Sequence, residues 1–566
     1  MSVFSPERRF KPRLAAAIAT VSATLAITIT PAAAQQLPAG GGGIGLGDDG
    51  VTTAEGRRTQ VTPYIEVGQV LLADLNNDNV VTFSVVAAGV DAGIRGQRAE
   101  GQVSVRYERR IEWGDEIGDQ DILSGIARGS VQLIPNALSF EAGGLATRSS
   151  IDVRGAQPTN VVGDNDNIAQ LYSVFAGPSV NTNIGSAFLN ANYRFGYASL
   201  ETDNNIAIAP GQPQLDVFDE STSHFANATI GQLATNSILP FGWTISGGYR
   251  REDTTQLDQR FEDAFVRGDI TVPLSPTFAL VGGAGYEDVE VSERDALRDD
   301  DGTPLVGADG RIITDPDSPR LLSFDASGLI WDVGVLWRPS SRTSLEARYG
   351  RRYQSETYYG NFNWQANRNT VFSVNVFDTV AGFGARIIDN VALLPTQFTS
   401  FRNPISGDLN GCVIGGENNL CLNDGLQSAA SSLFRLRGVN AVVSTQLNGW
   451  QTGLALGYNR RRFLNSDIGV LADIAGGLDE NYFANFFATT QIDASSAFSA
   501  NVYANYFDSA FEGADDVFAV GANAAYLRNL TRRLRATAAV GLDTFDVDGI
   551  ENPLTASALL GLRYSF

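Results

Sequence analysis

One histidine, two cysteines, clustered acids and scattered arginines are the residues of this 566-residue chain that could do chemistry. His224 opens the stretch HFANATI and has no obvious catalytic partner in sequence. A hydrolase that activates a hydroxyl or thiol needs an oriented base, so no catalytic role is expected, and His224 reads as a solvated rim residue. Cys412 and Cys421 have eight residues between them and no further Cys or His to complete a tetrahedral site. They read as a local disulfide rather than a metal site. The acidic runs at residues 76–79, 164–167 and 299–302 do not continue into a calcium-binding loop with its terminal Glu. Gly45, Gly47 and Gly50 match dinucleotide-loop spacing, but no strand pattern precedes them and no helix pattern follows. No metal or cofactor is expected.

The arginines carry more information, because they recur at alternate positions. In GQVSVRYERRIEW, Val103, Val105, Tyr107, Ile111 and Trp113 take one side and Gln102, Ser104, Arg106, Glu108, Arg110 and Glu112 the other. Leu189, Ala191, Tyr193, Phe195 and Tyr197 oppose Asn190, Asn192, Arg194 and Gly196; Trp450, Leu454, Leu456 and Tyr458 oppose Gln451, Gly453, Gly457, Asn459 and Arg461. A side-chain period of two is the signature of a strand with one apolar and one polar face. If the apolar faces meet lipid, then Arg106, Arg110, Arg194, Arg348, Arg352, Arg461 and Arg563 line a polar lumen. Their guanidinium groups would offer paired donors to an anionic or sugar substrate, or else pair with acidic neighbours and keep the pore wet.

The compartment fits a membrane barrel. Arg8, Arg9, Lys11 and Arg13 precede an uncharged, mainly apolar run, and Ala32, Ala33 and Ala34 supply a cleavage site, so residues 1–34 read as a signal peptide. Its removal leaves 37 basic against 62 acidic residues, a formal charge of −25 with no lysine. Such a surface repels nucleic acid, so no nucleic-acid partner is expected. Residues 35–60 read as a flexible Gly-rich periplasmic leader and residues 61–566 as the barrel. Beyond the signal no run approaches the ~20 apolar residues of a spanning helix, so membrane entry requires a closed barrel.

The connections repeat in two lengths. Tight turns at residues 98–100, 135–136, 275–276, 339–341, 367–369, 448–449, 494–495 and 531–533 separate long Asp/Asn/Gly-rich loops, as at residues 154–167, 202–222, 294–320 and 465–479. Short periplasmic turns alternating with long outer loops, and a strand on each side of every connection, predict an antiparallel transmembrane β-barrel of the Gram-negative outer membrane with about 22 strands. Nothing in the pattern sets aside a separate N-terminal plug domain. The last strand, residues 552–566, places Leu560, Leu562, Tyr564 and Phe566 outward and Arg563 and Ser565 inward. A closing strand ending in an aromatic resembles those read by the barrel-assembly machinery, so Tyr564 and Phe566 are expected to serve as the assembly signal and join the periplasmic aromatic girdle.

One loop, at about residues 380–432, breaks the alternation. It holds both cysteines, and Leu426, Ala429, Ala430, Leu433 and Phe434 recur at helical spacing. It either folds inward to narrow the pore or stands as a solvated surface loop.

A resemblance adds a functional expectation. The stretch LWRPSSRTSLEARYGRRYQSETYYGNFNWQANRNTVFSVNV carries Trp337-Arg338-Pro339, the turn at residues 341–343, Tyr349-Gly350-Arg351-Arg352-Tyr353 and an Arg/Asn turn before Thr370. It resembles the strand-turn-strand repeats of the PEP-CTERM system-associated outer-membrane proteins, and residues 433–463 are similar to that family's next hairpin. The resemblance implies an outer-membrane channel tied to exopolysaccharide export or surface assembly, a passive, porin-like transport route with no catalytic residues to carry over. Its partners would be outer-membrane lipid, lipopolysaccharide, the barrel-assembly machinery and polysaccharide. The reading from a different class is a non-conducting structural or adhesive barrel whose acidic loops bind surface polysaccharide or a protein.

Overall fold

A computed structural model describes residues 58–566 except 78, 115–119, 151–167, 202–205, 208–213, 216–219, 235–239, 308–310, 416–418, 422–431, 467–474, 510–515 and 548–551. The expected signal peptide and almost all of the leader lie outside the described residues.

Twenty-two strands form one antiparallel sheet. They are β1 (Arg58–Asp74), β2 (Asn79–Arg95), β3 (Ala99–Glu112), β4 (Gln120–Ile134), β5 (Leu138–Ser150), β6 (Ile168–Ile184) and β7 (Ala187–Glu201). Next come β8 (Glu220–Gln232), β9 (Gly242–Thr254), β10 (Arg260–Ser275), β11 (Phe278–Glu293), β12 (Leu321–Ser340), β13 (Thr343–Arg352), β14 (Ser355–Asn367) and β15 (Thr370–Ala381). The last are β16 (Phe434–Leu447), β17 (Trp450–Phe463), β18 (Leu478–Asp493), β19 (Ser496–Asp508), β20 (Val517–Asn529), β21 (Leu534–Val547) and β22 (Leu554–Ser565). Each strand pairs with its sequence neighbours, and β22 pairs with β1 from Tyr64/Ser565 to Asp74/Thr555, which closes the sheet into a barrel. Closure leaves no free edge, the condition for a sheet to lie in lipid. The barrel begins at Arg58, three residues before the expected Val61.

The dyad pattern sorts the faces. Outward-pointing Val67, Val86, Ile111, Ile270, Val333, Leu456, Val540 and Leu560 are all exposed, and together they form an apolar belt. Aromatic rings band both ends of it. Tyr458, Tyr482 and Tyr506 follow one another at centroid distances of 4.8 and 6.1 Å near the long-loop end. Trp364 with Phe372 (5.1 Å), Trp450 with Phe498 (6.2 Å) and Tyr564 with Phe566 (5.2 Å) sit near the short-turn end. Amphipathic rings favour both boundaries of a bilayer. Among the described residues no helix is long and apolar enough to cross a membrane.

Turns of two to four residues join the strands at one end, apart from the connection at residues 233–241. The other end carries connections of up to 52 residues, between Ala381 and Phe434. It also carries a two-residue turn that the sequence reading did not assign. Tyr353 and Gln354 both have positive φ (53° and 55°), the geometry of a tight hairpin turn without the usual Gly or Asn. The helical spacing read at Leu426, Ala429, Ala430, Leu433 and Phe434 is corrected in part, because Phe434 starts β16 while residues 422–431 lie outside the described residues. The described helix is instead α1 (Phe383–Leu393).

Candidate functional site: the barrel interior and its inserted loop

The segment from Gly382 to Asp408 docks against inward-facing wall residues. Phe383, Ile387, Ile388 and Val391 recur on one side of α1 and pack with Leu394 and Phe398 against Ile126, Leu145, Leu171, Phe175, Ala198 and Leu200 of β4 to β7. Small wall residues make room for the helix. A Cβ at Gly196 would lie 2.6 Å from Ile388 Cδ1. The helix has no side-chain N-cap of its own. Glu252 of β9 supplies one from the wall, accepting hydrogen bonds from Gly382 N (2.7 Å), Ala385 N (2.9 Å) and Ser221 Oγ (2.8 Å).

Ion pairs fix where the segment sits. Asp389 on α1 takes Arg194 and, at 3.3 Å, Arg250. Phe398 N donates to Gln102 Oε1 (3.0 Å), and Arg402 donates to Ser124 Oγ at 2.6 Å and to Gly407 O at 3.0 Å. Residues 403–408 form a tight turn in which Asn403 Oδ1 accepts from Ile405 N (2.9 Å) and Gly407 takes φ +73°. Ile405, at the turn, is buried among Val70, Leu72, Phe83, Val85 and Ala87 of β1 and β2 and Ala525 and Ala539 of β20 and β21. Arg110 Nη2 donates to Ser406 O (2.8 Å). Pairing between β4 and β5 stops at Gly125/Ala146, and Arg148, just beyond, reaches Asp408 through Nε (2.8 Å) and Nη2. Burial works to raise the Asp408 carboxyl, but Arg148, Arg110 and Ser406 together hold the group below the usual carboxylate range. Burial pushes the Arg402 guanidinium down.

Magnitudes separate the two kinds of contact. Each fully buried Ile or Phe contributes about 1.5–3 kcal/mol as an upper estimate, and α1 and Ile405 together bury several. A buried ion pair roughly breaks even against its desolvation, yet losing one partner costs about 3–5 kcal/mol. The apolar face therefore holds the loop in, and the ion pairs select its register on the wall.

All seven arginines singled out in the sequence point inward, and each meets a carboxylate. Arg106 pairs with Glu66 (2.9 Å) and Glu108, and Arg110 with Glu108 (2.6 Å). Arg194 pairs with Asp389. Arg348 contacts Asp269 (2.8 Å), Asp332 (3.0 Å) and Glu346 (2.7 Å). Arg352 contacts Asp263 (3.0 Å) and Glu287 (2.8 Å), and Arg461 contacts Asp479 (2.6 Å). Arg563 reaches Asp91 (2.6 Å) and Glu66 (3.5 Å) across the β22–β1 seam, with its guanidinium 3.4 Å from the Tyr64 ring centroid. Of the two roles open to these arginines, self-pairing is the one the geometry adopts.

Tyr564 and Phe566 face outward at the short-turn end, and Phe566 N donates to Pro63 O (3.0 Å), fastening the last residue to β1. Cys412 and Cys421 are directly opposed backbone partners in the loop hairpin, while their side chains lie outside the described residues. His224 is partly exposed on the outer face, four residues from the long-loop end of β8, where an even position points to the aromatic band; it shares a 2.8 Å hydrogen bond with Tyr193, and its ring is tilted against that of Phe195 at a centroid distance of 5.2 Å.

Sequence reasoning missed Glu252, Asp408, Arg148 and α1. Only the helix left a usable trace, the i, i+4, i+5, i+8 spacing of Phe383, Ile387, Ile388 and Val391.

Solved structures can be set beside this architecture. The FrpB iron transporter from Neisseria meningitidis superposes with a TM-score of 0.44 at 10% identity, covering 89% of this chain and 82% of that one. The ferric-catecholate import receptor Fiu from E. coli K12 gives 0.43 at 11% identity, covering 89% and 81%. The siderophore receptor PiuA from Acinetobacter baumannii gives 0.40 at 8% identity, covering 89% and 82%. No family model matches the sequence, and no curated protein matches it.

Proposed function

We propose that this outer-membrane barrel is a channel narrowed by its own loop, passing hydrophilic solute along a polar interior. The supporting observation is the docking of Gly382 to Asp408 on inward-facing wall residues, which puts a folded obstruction inside a barrel of this strand number. Barrels of 16–18 strands already enclose an aqueous channel, so 22 strands leave room for both a loop and a path. The carboxylate-neutralised arginines argue against selection by a fixed positive charge and for a path that admits neutral polar solute. The link to exopolysaccharide export or surface assembly belongs to this proposal and rests on the resemblance of residues 336–376 and 433–463 alone. The long-loop end faces outward and the short-turn end faces the periplasm. Cleavage after Ala34 and a disulfide between Cys412 and Cys421 complete the proposal.

Reconstitution of the mature protein into planar bilayers tests it. Small, discrete current steps are the expected result. An absence of ion current at every voltage would favour the non-conducting, adhesive alternative.

A further inference from the structure

The two ends of the barrel differ in charge. The connections of the short-turn end hold five arginines, Arg98, Arg342, Arg368, Arg532 and Arg533, and neither Asp nor Glu. The long connections of the other end carry acid in excess, as residues 294–320 do with Asp295, Asp299, Asp315 and Asp317. The pairing of the arginines differs as well. At the long-loop end even partly exposed guanidinium groups have a carboxylate: Arg109 meets Asp121 at 2.7 Å, Arg251 meets Asp253 at 2.6 Å and Arg298 meets Asp295 at 3.2 Å. All five arginines of the short turns are exposed, and among the described residues none of them forms an ion pair.

The aromatic girdle sets their height in the bilayer. Trp337, 39% exposed, stands on the strand that runs into the turn at Arg342. Arg368 lies four residues after Trp364 and four before Phe372, whose rings stack at 5.1 Å. Arg528 shares the outward face of β20 with Tyr526, and the Arg533 side chain hydrogen-bonds that of Tyr564. Such girdles mark the boundary between hydrocarbon and headgroups, so guanidinium groups just beyond them stand at the level of lipid phosphate. Thr531 Oγ1 accepts from Arg533 N (3.2 Å) and Leu534 N (3.0 Å), which orders the turn that carries two of the five.

We propose that this collar of unpaired arginines binds the headgroups of anionic phospholipid in the inner leaflet of the outer membrane, most strongly at the β20–β21 hairpin with Arg528, Arg532 and Arg533. A guanidinium is planar, weakly hydrated and offers paired donors that match a phosphate. Phosphatidylethanolamine carries its own ammonium beside the phosphate, whereas phosphatidylglycerol leaves the negative charge open, so the collar selects the latter. The charged turns join β2 to β3, β12 to β13, β14 to β15 and β20 to β21, on two widely separated arcs of the barrel. An annulus of lipid meets both arcs at once, whereas an acidic protein partner would need the charges in one patch. At the opposite end a phosphate would meet carboxylates and arginines already paired. The proposal goes beyond the channel reading and rests only on its orientation, with the short turns facing the periplasm.

Native mass spectrometry of the full-length mature protein, released from detergent with equimolar phosphatidylglycerol and phosphatidylethanolamine, tests the collar. The expected result is an enrichment of phosphatidylglycerol among bound lipids of about fivefold, the factor one arginine supplies at an anionic surface, falling about twofold or more in the Arg528→Gln/Arg532→Gln/Arg533→Gln variant. Arg368→Gln, a single change on the other arc, should lower the enrichment too, and Arg109→Gln/Arg251→Gln at the long-loop end should keep the wild-type value. Equal binding of the two lipids by wild type would leave the collar to an acidic protein and overturn the proposal. An enrichment unchanged in the triple and Arg368→Gln variants, or lost equally in the long-loop-end variant, would overturn it as well. Labelling of an Ala494→Cys variant above the wild-type background, by a membrane-impermeant maleimide on intact cells, would overturn the inner-leaflet assignment. Absence of current in planar bilayers would overturn the channel and leave the lipid selectivity standing.

Discussion

Asp408, in the turn of the inserted loop, and Arg148, near the long-loop end of β5, are 260 residues apart in sequence and share two hydrogen bonds, one of 2.8 Å. Because the Asp408 carboxyl is held below its usual range, the pair stabilises the docked loop fully above about pH 3.9, the ordinary carboxylate value. That stabilisation is lost as pH falls through the lower, docked-state value. Conductance should therefore stay flat from neutral to mildly acidic pH and rise only under strong acid, and Asp408→Asn should conduct more than wild type already at pH 7. A conductance step centred well above pH 5 would assign the response to another group.

Glu252 caps α1 from the opposite strand rather than from within the helix. Glu252→Ala should weaken helix docking by about 0.5–2 kcal/mol, the range for a lost cap. Limited trypsin digestion of the reconstituted barrel reads this as faster cleavage at Arg386. Glu252→Gln should restore only part of the protection, since its single amide oxygen can accept from one of the two N–H groups, Gly382 or Ala385, that the two carboxylate oxygens serve.

Space under α1 gives a steric test. Gly196→Leu would drive a side chain into Ile388 and Ser223 and should expel the helix while the wall still pairs. Gly93→Ala, where an added Cβ meets nothing within 4 Å, should behave as wild type. Heat-modifiability on gels separates barrel assembly from loop release, and failure of Gly196→Leu to assemble at all would show that the helix supports the wall.

The opposed positions of Cys412 and Cys421 predict that an alkylating reagent labels neither thiol until a reductant is added. Labelling of both in untreated protein would remove the disulfide from the account.

Phe566 closes the ring of strands through its backbone bond to Pro63, and its ring packs on Tyr564. Deleting Phe566 should lower the yield of assembled barrel without changing the conductance of the molecules that do assemble. Normal yield with altered conductance would contradict that assignment.

Much of this molecule was legible in its sequence because a lipid-facing strand has a period of two and a fixed minimum length. Tyr107 against Arg106, or Leu562 against Arg563, already declares which side meets lipid, and the two-length rhythm of turns sets the strand number. The turn at Tyr353 and Gln354 was not legible, since neither residue type signals a positive φ. The fate of the arginines was open for a different reason. Whether Arg348 is free or paired depends on Asp269 and Asp332, which register brings across from β10 and β12. The inserted loop depends on contacts between positions such as 148 and 408 or 252 and 385, and no local pattern encodes such a meeting.

The central claim is that the segment from Gly382 to Asp408 occupies the barrel interior and restricts it. Replacing residues 383–431 by a short Gly/Ser linker and recording single channels beside wild type tests this directly. The account predicts an assembled barrel with a several-fold larger unit conductance; an assembled barrel whose conductance equals that of wild type would contradict it.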